Sequence, residues 1–132
     1  MKYLIDTHVL IWALFDSKKI PLQVSETILN ADNEIYVSLI SFWEIALKYS
    51  IGKLTLKNIE PDDIPDYCTE AGFEIIYPTV AEAASFYHLP VISHKDPFDR
   101  MIIWQCIRND ITLISKDNNL SEYKNYGLKI FW

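Results

Sequence analysis

Long apolar runs are missing from this 132-residue chain. No stretch reaches the ~20 apolar residues that cross a membrane. The opening MKYLIDTHVLIWALF is apolar, but Asp6 and His8 interrupt it and no small-residue cleavage site follows, which argues against a secretory signal. Cysteine is scarce as well. Cys68 and Cys106 stand far apart, without the spacing of a zinc clip or a disulfide framework, and both read as reduced packing residues. Basic charge is short: 12 Lys and Arg stand against 18 Asp and Glu, a net charge of -6. That argues against a general nucleic-acid binder built on a basic surface. It leaves room for a nuclease whose metal ions supply positive charge locally, and it suits a basic protein partner. There is no internal repeat, low-complexity segment or interdomain linker. The expectation is one domain over residues 1–132, soluble and cytoplasmic, with no membrane partner.

Half of the residues are hydrophobic and 14% are aromatic, enough for a sizeable core. KYLI at residues 2–5 reads as a buried strand, and VLIWALF after Asp6-Thr7 reads as a helix. Pro21 opens a second helix that ends near Asn33. IYVSLI follows as the second strand, and Ser41 opens a helix running to about Ser50 before Gly52 stops it. A connection over 55–65 leads into a short helix from about Asp62 to Ala71, ended by Gly72. FEIIY is the third strand, and Thr79 caps a helix to Tyr87. Pro97 opens a helix to about Asn109, TLIS is the fourth strand, and LKIF is a weak fifth. Alternation of this kind gives an α/β domain whose sheet is mostly parallel.

In such a sheet every strand ends on one edge and every following helix begins there. Asp6, Glu44, Asp99 and Asp117 each fall where a strand-like run gives way to a helix start, so the four are expected to converge. Each also has a purely structural reading. Asp6 or Thr7 fits the cap of the first helix. Ser41-Phe42-Trp43-Glu44 fits a capping box, and Lys48 offers Glu44 an i,i+4 ion pair. In HKDPFDR, Asp96 fits the cap, which puts Asp99 at the third helical position, on the inward stripe with Ile102, Ile103 and Cys106. Asp117, in the polar string KDNN, fits a turn. Four separate caps on one edge are a weaker account than one site. Converged carboxylates repel one another, and oxygen-only ligands favour Mg²⁺ or Mn²⁺. Such ions support hydrolysis of a phosphodiester.

Other polar residues carry less. His8 directly follows the first acid and is placed either facing the site or on the first helix turn. His88 sits at a helix end, and His94 lies in a loop before Asp96. Lys48, Lys53, Lys57, Lys95, Arg100 and Lys116 are near the acids in sequence. Trp12, Trp43, Trp104 and Trp132, with Phe15, Phe42 and Tyr49, read by default as core, although an apolar groove by Trp12 and Trp43 would suit a partner helix or a twin subunit.

LIDTHVLIW, VSLISFWEIALKYSIGKL, HKDPFDRMIIWQ and TLISKD occur in that order across almost the whole chain. Together they resemble the PIN-domain family, and within it the VapC-like toxins of toxin–antitoxin pairs. The resemblance implies a twisted, mostly parallel sheet of about five strands flanked by helices. It also implies a Mg²⁺- or Mn²⁺-dependent endoribonuclease. Carried over by motif position, Asp6 and Asp99 would be the principal metal ligands, Glu44 the third core acid, and Asp117 a fourth that binds a second ion or orients water. Thr7 would brace the site, with Asp96 a secondary candidate ligand. The implied partners are RNA as substrate, a cognate antitoxin that places a basic side chain in the acidic pocket, and a second copy of the chain.

Rival functions meet specific obstacles. A phosphotransfer receiver needs an aspartate after its third strand, and FEIIYPTV has none. A haloacid-dehalogenase-like phosphatase needs a second aspartate two residues after the first, where this chain has His8. A noncatalytic interaction module of the same fold, and a housekeeping RNA-processing nuclease, remain as alternatives.

Overall fold

Among the described residues, alternating apolar and amphipathic segments fold as five strands and six α-helices. The computed structural model describes residues 1–93 and 96–132; the expectations placed on His94 and Lys95 lie outside the described residues. The strands are β1 (Lys2–Ile5), β2 (Glu34–Ser38), β3 (Glu74–Ile76), β4 (Thr112–Ile114) and β5 (Lys129–Phe131). They form one sheet in the order β3-β2-β1-β4-β5, with every neighbouring pair parallel. Ile5 lies opposite Val37 on one side and Ile114 on the other, so the central strands end level.

Side chains alternate across the sheet, and the two core clusters follow from that period. Leu4 and Leu113 point to one face, where they pack with Ile102, Ile103 and Trp104 of α6 (Pro97–Asn109) and with Leu120 and Tyr123. Ile5 and Ile114, one residue later, point to the other. There they meet Val9 and Leu10 of α1 (Thr7–Phe15), Val24 of α2 (Leu22–Leu29), and Ile64 and Cys68 of α4 (Ile64–Glu70). The helix α3 (Leu39–Ser50) serves both faces, giving Ile40 to the first cluster and Ile45 to the second. A fifth helix, α5 (Val80–Ser85), packs on α6. Both cysteines are free and buried. Burial pushes the Cys68 thiol up to about 11 and drives Cys106 higher still, as inert packing thiols require.

Several boundaries differ from the sequence reading. The second strand stops at Ser38, whose side chain accepts from the Ile40 N–H at 3.1 Å and caps α3. Ser41 therefore lies inside the helix, and the expected capping box from Ser41 to Glu44 does not form; the Glu44 carboxylate turns elsewhere. Pro61–Asp63 form a 3-10 turn before α4, and Phe86–His88 form another after α5. The expected Thr79 cap is present, with Glu82 completing a capping box. Gly52 and Gly72 follow α3 and α4 at φ +75° and +84°, the left-handed geometry that ends a helix. Residues Asn118–Tyr126, which begin in the polar string KDNN and otherwise carry no element in the sequence reading, form a run of 3-10 turns that buries Leu120 and Tyr123. The aromatic core is smaller than expected: Trp104 is buried, Trp12 and Trp132 are half-buried, and Trp43 is 61% exposed.

Chain direction reverses between β1 and β4. The chain runs from β1 outward to β3, then returns to place β4 on the other side of β1. The segments leaving β1 and β4 therefore diverge and open a crevice at the carboxyl edge of the sheet. Ile103 is fully buried in the cluster that holds α6 against this sheet. Ile103→Ala should lower unfolding stability by about 2–5 kcal/mol in urea titrations.

Candidate metal centre

Asp6 is the first residue past β1. Its N–H donates to the Ile114 carbonyl at 3.1 Å, extending the pairing of β1 with β4, and its Oδ1 accepts from the Val9 N–H at 2.8 Å. It is thus the cap of α1, one of the two capping alternatives, and it sits at the mouth of the crevice with 9% exposure. Burial holds its carboxyl above the ordinary carboxylate range, against hydrogen bonds from Ser115 and Val9 and the nearby His8; the negative charge of Glu44 adds to the rise. Ser115, buried just past β4, was not singled out from sequence, although it ends its strand as Asp6 ends β1.

Glu44 lies on the second turn of α3 at 1% exposure, a charge that burial alone would penalise. Each of its oxygens has a partner. Thr7 Oγ1 donates to Oε1 at 2.6 Å and lies 2.9 Å from the Ser41 hydroxyl, while Lys48 Nζ pairs with Oε2. Thr7 therefore braces Glu44 from the first turn of α1, across the space between α1 and α3. Burial alone would lower the Lys48 pKa, but the hydrogen bond to Glu44 and the charges of Glu44, Asp96 and Asp99 outweigh it and raise the net value. Lys48 consequently faces several acids, more than a simple i,i+4 pair.

Asp96 caps α6 as expected, its Oδ1 accepting from the N–H groups of Phe98 and Asp99 at 2.9 and 3.4 Å. Asp99 follows in the first turn, on the half-buried inward side. Among the described residues, Glu44, Asp96 and Asp99 form a group whose ligand oxygens all lie within 4.8 Å of one another. Asp96, read from sequence as the cap and as a secondary candidate ligand, is the cap and also belongs to this group. Asp6 and Asp117 lie outside that group but line, with Asp99, a cleft of about 270 Å³ that also touches His8, Trp12 and Lys116. Asp117 starts the 3-10 run, its Oδ1 accepting from the Asn119 N–H at 2.9 Å. The four expected acids are therefore gathered on one edge of the sheet, with Asp99 common to the cleft and to the tight group.

A second cleft of about 300 Å³ adjoins the first across His8 and is lined by Thr7, Glu44, Lys48 and Lys53. Among the other basic residues weighed from sequence, Lys116 enters the first cleft. Arg100 turns away: its guanidinium donates to the Leu89 carbonyl at 2.9 Å and lies over the Phe86 ring. His88 closes its 3-10 turn and lies against Tyr87, away from both clefts. The donor set suits a hard divalent cation, being all carboxylate, partly buried, and close enough for several oxygens to reach one ion.

The family model described as PIN domain matches residues 3–126. The chain belongs to the PIN-domain family. Its fold is shared with solved PIN-like structures at low sequence identity. VapBC2 from Rickettsia felis, bound to a DNA fragment from their promoter, matches at TM-score 0.71 and 19% identity, covering 99% of this chain and 98% of that one. DNA-bound VapBC from Salmonella typhimurium matches at 0.64 and 19%, covering 99% and 97%. VapBC-1 from nontypeable Haemophilus influenzae matches at 0.68 and 18%, again covering 99% and 97%. No curated protein matches the chain by sequence. Among the described residues of this PIN domain, no helix is long and apolar enough to cross a membrane.

Two stability measurements test these electrostatics. Because the folded-state pKa of Asp6 lies above its unfolded value, its contribution is fully present below the unfolded pKa and is lost as pH rises through the folded pKa. Asp6→Asn, which retains a capping oxygen, should therefore raise the melting temperature in EDTA at neutral pH, with the gain shrinking as pH falls towards the ordinary carboxylate range. Lys48→Met leaves a buried Glu44 oxygen without its partner and should destabilise the protein by about 1–3 kcal/mol in urea titrations.

Proposed function

We propose that this PIN domain is a Mg²⁺- or Mn²⁺-dependent endoribonuclease, the toxin of a toxin–antitoxin pair, acting in the cytoplasm as a single domain over residues 1–132. The observation that carries the reading is the convergence of Asp6, Glu44, Asp96, Asp99 and Asp117 around one crevice at the carboxyl edge of the sheet. Family membership supports a nuclease, and the near-complete structural match to VapBC complexes supports the toxin reading over a housekeeping RNA-processing enzyme. A noncatalytic module has no use for five carboxylates gathered against their own repulsion.

In this reading Asp6 and Asp99 are the principal ligands, with Glu44, Asp96 and Asp117 completing the acidic set. A bound divalent ion supplies charge neutralisation at the scissile phosphate and lowers the pKa of the attacking water. The chain's own groups do the positioning. Asp6 is fixed by its hydrogen bond from Val9 and the extension of β1 pairing, so its carboxylate enters the crevice at a set angle. Thr7 and Lys48 hold both oxygens of Glu44, which orients that carboxylate and offsets the cost of burying it. Asp117 lines the same cleft as Asp6 and Asp99, where it can align water for in-line attack on phosphorus. The P–O bond to the leaving nucleotide breaks as the water oxygen bonds to phosphorus, and the leaving oxygen takes up a proton.

The partners in this reading are RNA, a second copy of the chain and an antitoxin. An antitoxin with a basic segment would find its complement in the acidic crevice of a chain whose net charge is -6. Purified protein should cleave a mixed RNA pool with Mn²⁺ and not with EDTA. Asp6→Asn and Asp99→Asn should each slow cleavage by about 100-fold or more while melting cooperatively. If Asp6→Asn protein cuts RNA as fast as wild type, the assignment fails.

A further inference from the structure

Beside the acids runs a strip of rings and lysines that the assignment above leaves unused. His8 and Trp12, one turn apart on α1, have ring centroids 6.0 Å apart, and Trp12 is in turn 6.0 Å from Trp132. The ammonium groups of Lys19 and Lys116 each lie 5.9 Å from the centre of the Trp12 ring. Lys19 also pairs with Asp16 at 3.5 Å, whereas Lys116 forms no ion pair among the described residues. Trp12 and Lys116 line the same cleft as Asp6, Asp99 and Asp117. At Asp117 the strip meets a hollow of about 260 Å³ lined by Asp117, Ser121, Lys124 and Trp132 among others. In a chain with an acidic excess, this places cations and aromatic faces together, alongside the carboxylates.

We infer that Trp12, flanked by His8 and Trp132, is a stacking platform for an unpaired base of the RNA next to the cleaved phosphate, and that Lys116 and Lys19 take the neighbouring phosphates. The inference rests on the nuclease reading for its substrate. Its chemistry is the usual one for single strands: an aromatic face accepts any base, and basic side chains follow the backbone. Trp12 packs against the second core cluster, but a core role does not account for the rest of the arrangement, because the ring is only half-buried and has two ammonium groups beside it. The lysine stems are long enough to release the ring when a base covers it, turning the charges outward to phosphate. Duplex RNA would not use the site, since its bases are already stacked. The strip therefore selects unpaired segments such as loops and ends.

The test uses Asp6→Asn protein, which holds RNA uncut, and a fluorescein-labelled unstructured RNA 12-mer read by anisotropy. Adding Trp12→Leu should weaken binding by about 10-fold, whereas Trp12→Phe should keep most of the affinity. Lys116→Gln should reduce the salt dependence of binding by about one unit of slope. A fully paired RNA of equal length should bind more weakly and respond little to Trp12→Leu. Thermal melts confirm that each variant is folded; if Trp12→Leu fails to fold, the Trp12→Phe and Lys116→Gln results decide. Unchanged RNA affinity in folded Trp12→Leu overturns the inference, and loss of binding to a basic antitoxin peptide in that variant would make the strip a protein dock instead. Wild-type cleavage with an unaltered KM in Trp12→Leu sinks the platform and leaves the nuclease standing. Trp12-dependent binding by a wild-type protein that never cleaves does the reverse.

Discussion

Carboxylates forced together at one edge of a parallel sheet repel, and most of the local detail of this molecule answers that repulsion. The sheet imposes the gathering, because every crossover returns the chain to the same edge. The neighbouring groups then make it tolerable. Asp6 takes backbone and Ser115 hydrogen bonds, Glu44 takes a hydroxyl and an ammonium, and Asp96 takes two N–H groups at a helix start. The Asp6 carboxyl is nevertheless held above its ordinary range, by burial first and with the charge of Glu44 adding to it. In the proposed reading, a bound divalent cation would offset both the burial of these carboxylates and their mutual repulsion.

The same edge explains why the fold and much of the site were readable from residue order. Strand and helix alternation follows from hydrophobic period, and the acids sit at the transitions, so topology and convergence come from one pattern. What escaped was anything set by contacts between segments distant in sequence. Ser41 matched a capping box locally, but Ser38 captures the helix start while its hydroxyl also donates to Gln105 of α6 at 2.5 Å. Ser41 is then free to face Thr7. The tight grouping of Asp96 with Glu44 depends on how α3 packs on α6, which no local motif encodes. Arg100 illustrates the converse: its neighbour Asp99 made it look like a site cation, whereas the Leu89 carbonyl and the Phe86 ring hold it elsewhere.

The two clefts on either side of His8 give the site a direction. One holds three acids with Lys116 and Trp12; the other holds Glu44 with Lys48 and Lys53. Acids and lysines therefore share each cleft, and Lys48 is paired directly with Glu44. In the proposed reading, these lysines would meet the phosphates of a polyanion while a cation would serve the acids, so a net acidic protein would not need a basic surface to handle nucleic acid.

The placement of α3 has a mechanical consequence. This one helix sends Ile40 into the core on one face of the sheet and Ile45 into the core on the other, with Glu44 between them. It acts as a crossbar pinned at two points, near its N-terminal end and near its middle. Loosening either hydrophobic half would let the bar tilt, and the tilt would reach the Glu44 carboxylate. The precision of this chemistry is accordingly limited by the softer of two separate interiors, and changes far from the crevice on either face can detune it without touching an acidic residue.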